Sequence, residues 1–384
     1  MTSTNQNERR GFWRISSYYF VVYMSGGSFF AYIALYYAHI GLSNAEVGML
    51  ATLGAIVAII AQPFWGVAAD KAKVKNMILL VAVFGSAVTV WLVPLADATR
   101  LGLFAAFAVF TIFQCAPHPI SDAMTLEICQ KRKFNFSTIR TIGSLGYALL
   151  AFLAGQIFAY NIMLIFPVYS ALMFGAFFIA LSLPKVKGHR QAKEKKRFTD
   201  ILKNRKLSVL YIYTAIIQTT LAFSVTFHAI YSAEFGIGPD ILGIGIMIGS
   251  FAQFPFMLLF PKINKRVSIH YILCVAGLTQ ALRWLMFAFF LNHITIYFIW
   301  ALHGTGFIVF YLCLADYVSK NVEPQQRASG QAMNALILGG ISRILGSSLG
   351  GLGAQFLGIG PVFFISGLLC VAATVVFFVV MKSH

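Results

Sequence analysis

Asp122, Arg140 and Arg343, with the histidines His228 and His303, stand inside long apolar runs. A charge buried in such a run costs roughly 3 kcal/mol on membrane-insertion scales, so these residues are the first candidates for chemistry. Asp122 lies nine residues before Lys131, and Arg140 lies seven after Lys133. If both runs are helical, the two sit roughly 10–14 Å from the same charged turn, at similar depth on neighbouring antiparallel helices. A carboxylate and a guanidinium so placed can grip a substrate, or can form a salt bridge that only pins two helices. Arg343 lies sixteen residues beyond Arg327, about 24 Å along a helix. With Arg140 it supplies one guanidinium from each half of the chain, a pair suited to a carboxylate, a phosphate or vicinal hydroxyls. A structural arginine bonded to helix carbonyls is the competing reading. His303 falls near the middle of its run and is the kind of side chain most easily moved across neutral pH. A neutral histidine bonded to a hydroxyl explains it equally well. His228 is a weaker candidate, and His118, between Pro117 and Pro119, marks a kink.

These residues are positioned by twelve apolar stretches of membrane-crossing length, about 20 residues each. They lie near 16–38, 46–69, 76–95, 102–128, 136–159, 162–183, 208–233, 240–261, 268–291, 294–318, 328–357 and 361–381. The stretch 328–357 is long enough to be tilted or broken. Of all residues 59% are hydrophobic and only 11% charged, and mean hydropathy is +0.79. A soluble chain carries about a quarter charged residues, so lipid must be the outer solvent here. The polar N-terminus, Thr2 to Arg10, leads straight into a full-length span, which argues against a cleavable signal peptide. Cys115, Cys129, Cys274, Cys313 and Cys370 are scattered through apolar segments and read as buried thiols.

The net charge of +17 is distributed as topology. Alternate loops carry Arg9, Arg10 and Arg14; Lys71, Lys73 and Lys75; Lys131, Arg132 and Lys133; the linker 184–206; Lys262, Lys265 and Arg266; Lys320 and Arg327; and Lys382. The opposite loops carry Arg100 alone. Lysine and arginine stay in the cytoplasm, so both termini are expected inside a cell membrane crossed many times. The same distribution argues against nucleic acid as a partner.

The linker 184–206 divides the chain at its midpoint, and the halves resemble each other. Arg140-Thr-Ile-Gly-Ser-Leu-Gly146 in the fifth segment matches Arg343-Ile-Leu-Gly-Ser-Ser-Leu-Gly350 in the eleventh. Asp122 before Arg132 matches Asp316 before Arg327, and Gly66-Val-Ala-Ala-Asp70-Lys71 matches Phe260-Pro-Lys-Ile-Asn264-Lys265. All three pairs are offset by six segments, the signature of a parallel repeat. The expected architecture is all-α: a six-helix bundle over 1–183, a basic cytoplasmic linker, and a second bundle over 207–384. Asp316 and Glu127 read as anchors at the membrane edge, and the glycines Gly143, Gly146, Gly346 and Gly350 as sites of close helix approach.

Gly66-x-x-x-Asp70-Lys71-x-x-x-Lys75 resembles the signature of the major facilitator superfamily, with Lys73 where glycine is usual. Gln62-Pro63-Phe-Trp-Gly66 through Asp70 is similar to the matching turn of the lactose permease (oligosaccharide–proton symporter) family. Phe134-Asn-Phe-Ser-Thr-Ile-Arg140-Thr-Ile-Gly143-Ser-Leu-Gly146-Tyr147 resembles that family and the phenylpropionate permeases. Pro119-Ile-Ser-Asp122-Ala and Arg283-Trp284 resemble the latter more closely. The resemblance implies substrate contacts from Asp122 and Arg140, ring stacking by Tyr147, and a proton-coupling network that includes Arg283 and His303. It puts Arg343 where a lysine would stand, and makes Gly66, Asp70 and Lys71 part of a cytoplasmic gate. Gly306 stands in place of the coupling glutamate and Trp300 in place of its lysine partner, so a proton would need His303 or Asp122.

The expected protein is a secondary active transporter working as a monomer in the bilayer. Its substrate would be a small polar solute (a sugar, nucleoside or aromatic acid), with a proton as the coupling ion. A proton-coupled exporter of drugs or amphiphiles is the alternative. No nucleophile with its base, no metal cluster, no GxGxxG and no P-loop appear, so neither an enzyme nor an ATP-driven pump is expected, and no cofactor.

Overall fold

A computed structural model describes residues 3–132, 134–188, 205–322 and 327–382, with side chains described from residue 9 onward and again from 330. The expected linker therefore lies mostly outside the described residues. Among the described residues, twelve helices are long and apolar enough to cross a membrane. We number them α1 (Arg9–His39), α2 (Asn44–Lys71), α3 (Lys75–Leu95), α4 (Arg100–Arg132), α5 (Phe136–Phe158), α6 (Ile162–Leu181), α7 (Arg205–Glu234), α8 (Pro239–Ile263), α9 (Ile269–Phe290), α10 (Thr295–Asn321), α11 (Gly330–Leu357) and α12 (Ile359–Lys382). Each of the twelve expected stretches has become one of them.

The local sequence explains where they start and bend. Thr99 caps α4 by accepting the amide of Gly102, and Asn135 caps α5 by accepting that of Ser137. The helix of α4 stops at Gln114 and resumes at Pro117, the kink marked by the two prolines. α11 contains a π-helical stretch, Leu336–Ile341, that widens the helix without ending it, just before Arg343. α10 is also interrupted, which its sequence did not announce: α-helix over Thr295–Ala301, a 3-10 turn over Leu302–Thr305, then α-helix again from Phe307.

By their contacts the residues divide into two units, Met1–Tyr36 with Ile56–Lys193, and Tyr37–Ala55 with Glu194–His384. The boundary runs through α2, whose first turns cluster with the second unit. In the first unit, α1 lies against α5 through small residues. A Cβ added at Gly27 would stand 2.5 Å from the Tyr147 carbonyl, and one at Gly143 would stand 3.0 Å from the Tyr23 ring. In the second, Gly346 and Gly350 of α11 meet the backbone of α7 and the Phe223 ring in the same way. Both pairs trade side-chain volume for close backbone contact, as membrane helices do without a hydrophobic drive between them. Large apolar residues such as Leu101, Leu258 and Phe356 face outward at 76–83% exposure. In water that surface would aggregate; in lipid it is the expected exterior.

Candidate functional site

In the first unit, α4 and α5 bring Asp122 and Arg140 together. Arg140 Nη1 lies 3.7 Å from Asp122 Oδ2. The other carboxylate oxygen accepts a 2.7 Å hydrogen bond from the hydroxyl of Tyr19 on α1. Asp122 is half-buried and Arg140 partly exposed, so the ion pair alone contributes little stability. The pair sets carboxylate lone pairs and guanidinium N–H donors side by side. Rings wall this pair. Tyr23 stacks on Tyr19 with 6.1 Å between centroids, and His118 meets the edge of Tyr23 at 4.8 Å. The Tyr147 ring lies 3.8 Å from where a Cβ on Gly26 would be, on the same α1–α5 seam. Tyr19 and Tyr23 were missed by the sequence reading. Their one signal is a spacing of four on a helix, which an ordinary packing pair shares.

Just before the charged turn after α2, Gly66 is exposed, and a Cβ there would meet nothing within 4 Å outside its own helix turn. Asp70 pairs at 3.5 Å with Lys75 rather than with its neighbour Lys71, which stays exposed. Lys75 is 5% exposed and also pairs closely with Glu127 of α4. One buried ammonium thus joins three helices, a geometry that sequence alone disguised as a loop charge. The chain leaving α6 is fastened to the same turn. The Lys75 amide donates to the Val186 carbonyl at 2.8 Å, and Asn76 Oδ1 accepts the Val186 amide at 3.0 Å. In the second unit the corresponding turn is built around Asp316, which accepts from Asn264 and pairs with Lys320, both at 2.8 Å.

The remaining sequence candidates lie in the second unit. Arg343 follows the π-helical stretch with an exposed side chain. Arg283 of α9 is 1% exposed, His228 of α7 is 4% exposed, and His303 stands half-buried at the interruption of α10. Trp300 links them: its ring lies 5.1 Å from His228, 5.4 Å from His303 and 5.1 Å from the guanidinium carbon of Arg283. A Cβ on Gly306 would be 3.2 Å from Gln280 Nε2. Among the described residues no group of three or more His, Cys, Asp or Glu gathers as a metal site would require.

The profile of the MFS_1 like family matches residues 12–365. The uncharacterized transporter YwbF of Bacillus subtilis is 24% identical over 387 aligned residues, covering 99% of this chain and 96% of that protein. A maltose permease of Geobacillus stearothermophilus is 27% identical, covering 71% of this chain and 69% of the permease. A sucrose permease of Escherichia coli is 24% identical, covering 94% and 92%. Among solved structures, the nucleoside transporter NupG superposes with a TM-score of 0.84 at 17% identity, covering 97% of this chain and 99% of its own. That likeness shows the fold. A match along nearly the whole chain, on twelve helices of membrane-crossing length, identifies the protein as a multi-pass membrane transporter of the MFS_1 like family.

Proposed function

We propose that the protein takes up a sugar or a nucleoside together with a proton, by alternating access, with both termini in the cytoplasm. The observation that carries this reading is the Tyr19–Asp122–Arg140 arrangement of the first unit. Vicinal hydroxyls donate to a carboxylate and accept from a guanidinium, and the apolar face of a sugar or base packs on aromatic rings. Tyr23 and Tyr147, each partly exposed, supply such rings, while Tyr19 is buried and orients Asp122. Sugar permeases and nucleoside transporters among the relatives support the same substrate class. Asp122 is the proton seat in this account, because a proton there cancels the charge that holds Arg140 and so changes both the pair and the grip on hydroxyls. The lysine and arginine loops support the orientation.

Uptake of labelled sugars and nucleosides, measured in right-side-out vesicles with an imposed inside-alkaline gradient, tests it. One class should accumulate, and a protonophore should remove the accumulation. Exclusion of every sugar and nucleoside, or net export of preloaded amphiphile, would contradict the reading.

A further inference from the structure

The interior of the second unit holds a cation that no carboxylate neutralises among the described residues. Arg283 is 1% exposed, and its guanidinium makes one hydrogen bond, from Nε to the Ile299 carbonyl at 3.2 Å. Nη1 has no partner. Three aromatic faces surround it, Trp284 at 4.7 Å, Trp300 at 5.1 Å and Phe287 at 5.9 Å. Ring faces attract a cation, but they are weaker than a counter-charge in a medium that cannot screen. No carboxylate pairs with Arg283 among the described residues.

The side chains around it are an unusual set, because almost all can donate and none is bonded. Gln280 stands one turn before Arg283 on the same face of α9, fully buried, with neither amide atom paired. The Trp300 indole N–H is unpaired at 6% exposure. Nδ1 of His228 and of His303 are unpaired as well, and each donates in one tautomer. Buried polar groups normally find partners, so several orphans in one place mark a missing one.

The interruption of α10 adds backbone to the same spot. The helix restarts at Phe307 with Gly306 as its cap (φ −70°, ψ −103°), and no side chain caps it. The first amides of a restarted helix have no partner within it, and this end carries the positive pole of the helix dipole. A Cβ on Gly306 would stand 3.2 Å from Gln280 Nε2, so the Gln280 amide sits at the restarted helix end, one turn from Arg283 on α9.

We propose that this cluster binds a compact monovalent anion, held by Arg283 Nη1, Gln280 Nε2, the Trp300 indole and the restarted end of α10, with His228 and His303 as further donors. Two sources share that chemistry: an inorganic halide bound alongside a neutral substrate, and a carboxylate carried by the substrate itself. The inference requires membership of the transporter family and not the choice of sugar or nucleoside. A binding readout that needs no transport therefore separates its failure from failure of the uptake reading.

The test is the melting temperature of the purified protein in detergent at constant ionic strength. In one arm chloride replaces a bulky sulfonate buffer anion, and in the other benzoate does. A ligand that binds only the folded state raises the midpoint as its concentration exceeds Kd, and about 3 °C is expected at 100-fold excess for a chain this long. A shift with chloride identifies an inorganic anion; a shift with benzoate alone identifies a carboxylate. Trp300→Phe keeps the ring and deletes one donor, so it should fold and at least halve the shift. Arg283→Met should remove it. Absence of a shift in both arms for the wild-type protein, or a full shift retained in Trp300→Phe, would overturn the proposal.

Discussion

Asp122→Asn should reduce uptake about 100-fold while leaving the protein folded and inserted. Asparagine keeps the shape but not the charge, so the Tyr19 hydrogen bond survives in weakened form and the Arg140 pair does not. A hydrogen bond to a charged group is worth about 1.5–3 kcal/mol, and each 1.4 kcal/mol is about tenfold in a rate or binding constant. The small contribution of an exposed ion pair to stability predicts that the melting temperature hardly moves. Arg140→Gln should give a similar loss. The informative variant is Asp122→Asn/Arg140→Gln. If the two groups only pin α4 to α5, removing both should restore what each single change destroys. Uptake recovered in the double variant would mean the pair is a structural bridge and the substrate binds elsewhere.

Gly48→Leu should abolish transport through a different cause, steric exclusion. Within the second unit the first turns of α2 lie against α11. A Cβ on Gly48 would overlap the Ser347 carbonyl and stand 2.8 Å from the Gly351 Cα. Asn44 Nδ2 of the side chain donates to the Ala354 carbonyl at 3.4 Å, and the Ala45 backbone amide to Gln355 Oε1 at 3.4 Å. Both neighbours of Gly48 are backbone, so no side chain can swing aside, and overpacking here costs about 1–3 kcal/mol or more. The start of α2 must move off α11. If alternating access requires this contact to form in each cycle, the variant should transport nothing, and a cysteine placed at Asn44 should react faster with an impermeant maleimide. Wild-type uptake by Gly48→Leu, with unchanged labelling at position 44, would show that the contact has no part in transport.

The twelve helices were legible because each is a property of about twenty consecutive residues, and hydropathy averages over that length. The kink at Pro117 was legible from the two prolines that flank His118. The break in α10 was not. Gly304-Thr-Gly306 looks like other glycine pairs in this chain, and only the structure shows Gly304 pressed against the Ala252 backbone where the helix is interrupted. The site divides along the same line. Asp122 and Arg140 could be matched by counting residues from one turn, because adjacent antiparallel helices put equal counts at equal depth. Tyr19 is 103 residues from Asp122 in sequence, and Lys75 is 52 from Glu127. Nothing local distinguishes Tyr19 from its neighbour Tyr18, or Lys75 from Lys71. The orphaned donors around Arg283 are the extreme case, since an unmade hydrogen bond has no counterpart in a string of letters.

The most direct test of the account is proton movement that accompanies uptake. Vesicles carrying the protein, suspended in weakly buffered medium without a membrane potential, receive a pulse of the sugar or nucleoside that they accumulate. The external medium should turn alkaline as substrate enters, and vesicles with Asp122→Asn should show no pH change. Substrate entry at the wild-type rate with no alkalinisation, or alkalinisation that persists in Asp122→Asn, would contradict a carrier that binds its solute and its proton at Asp122.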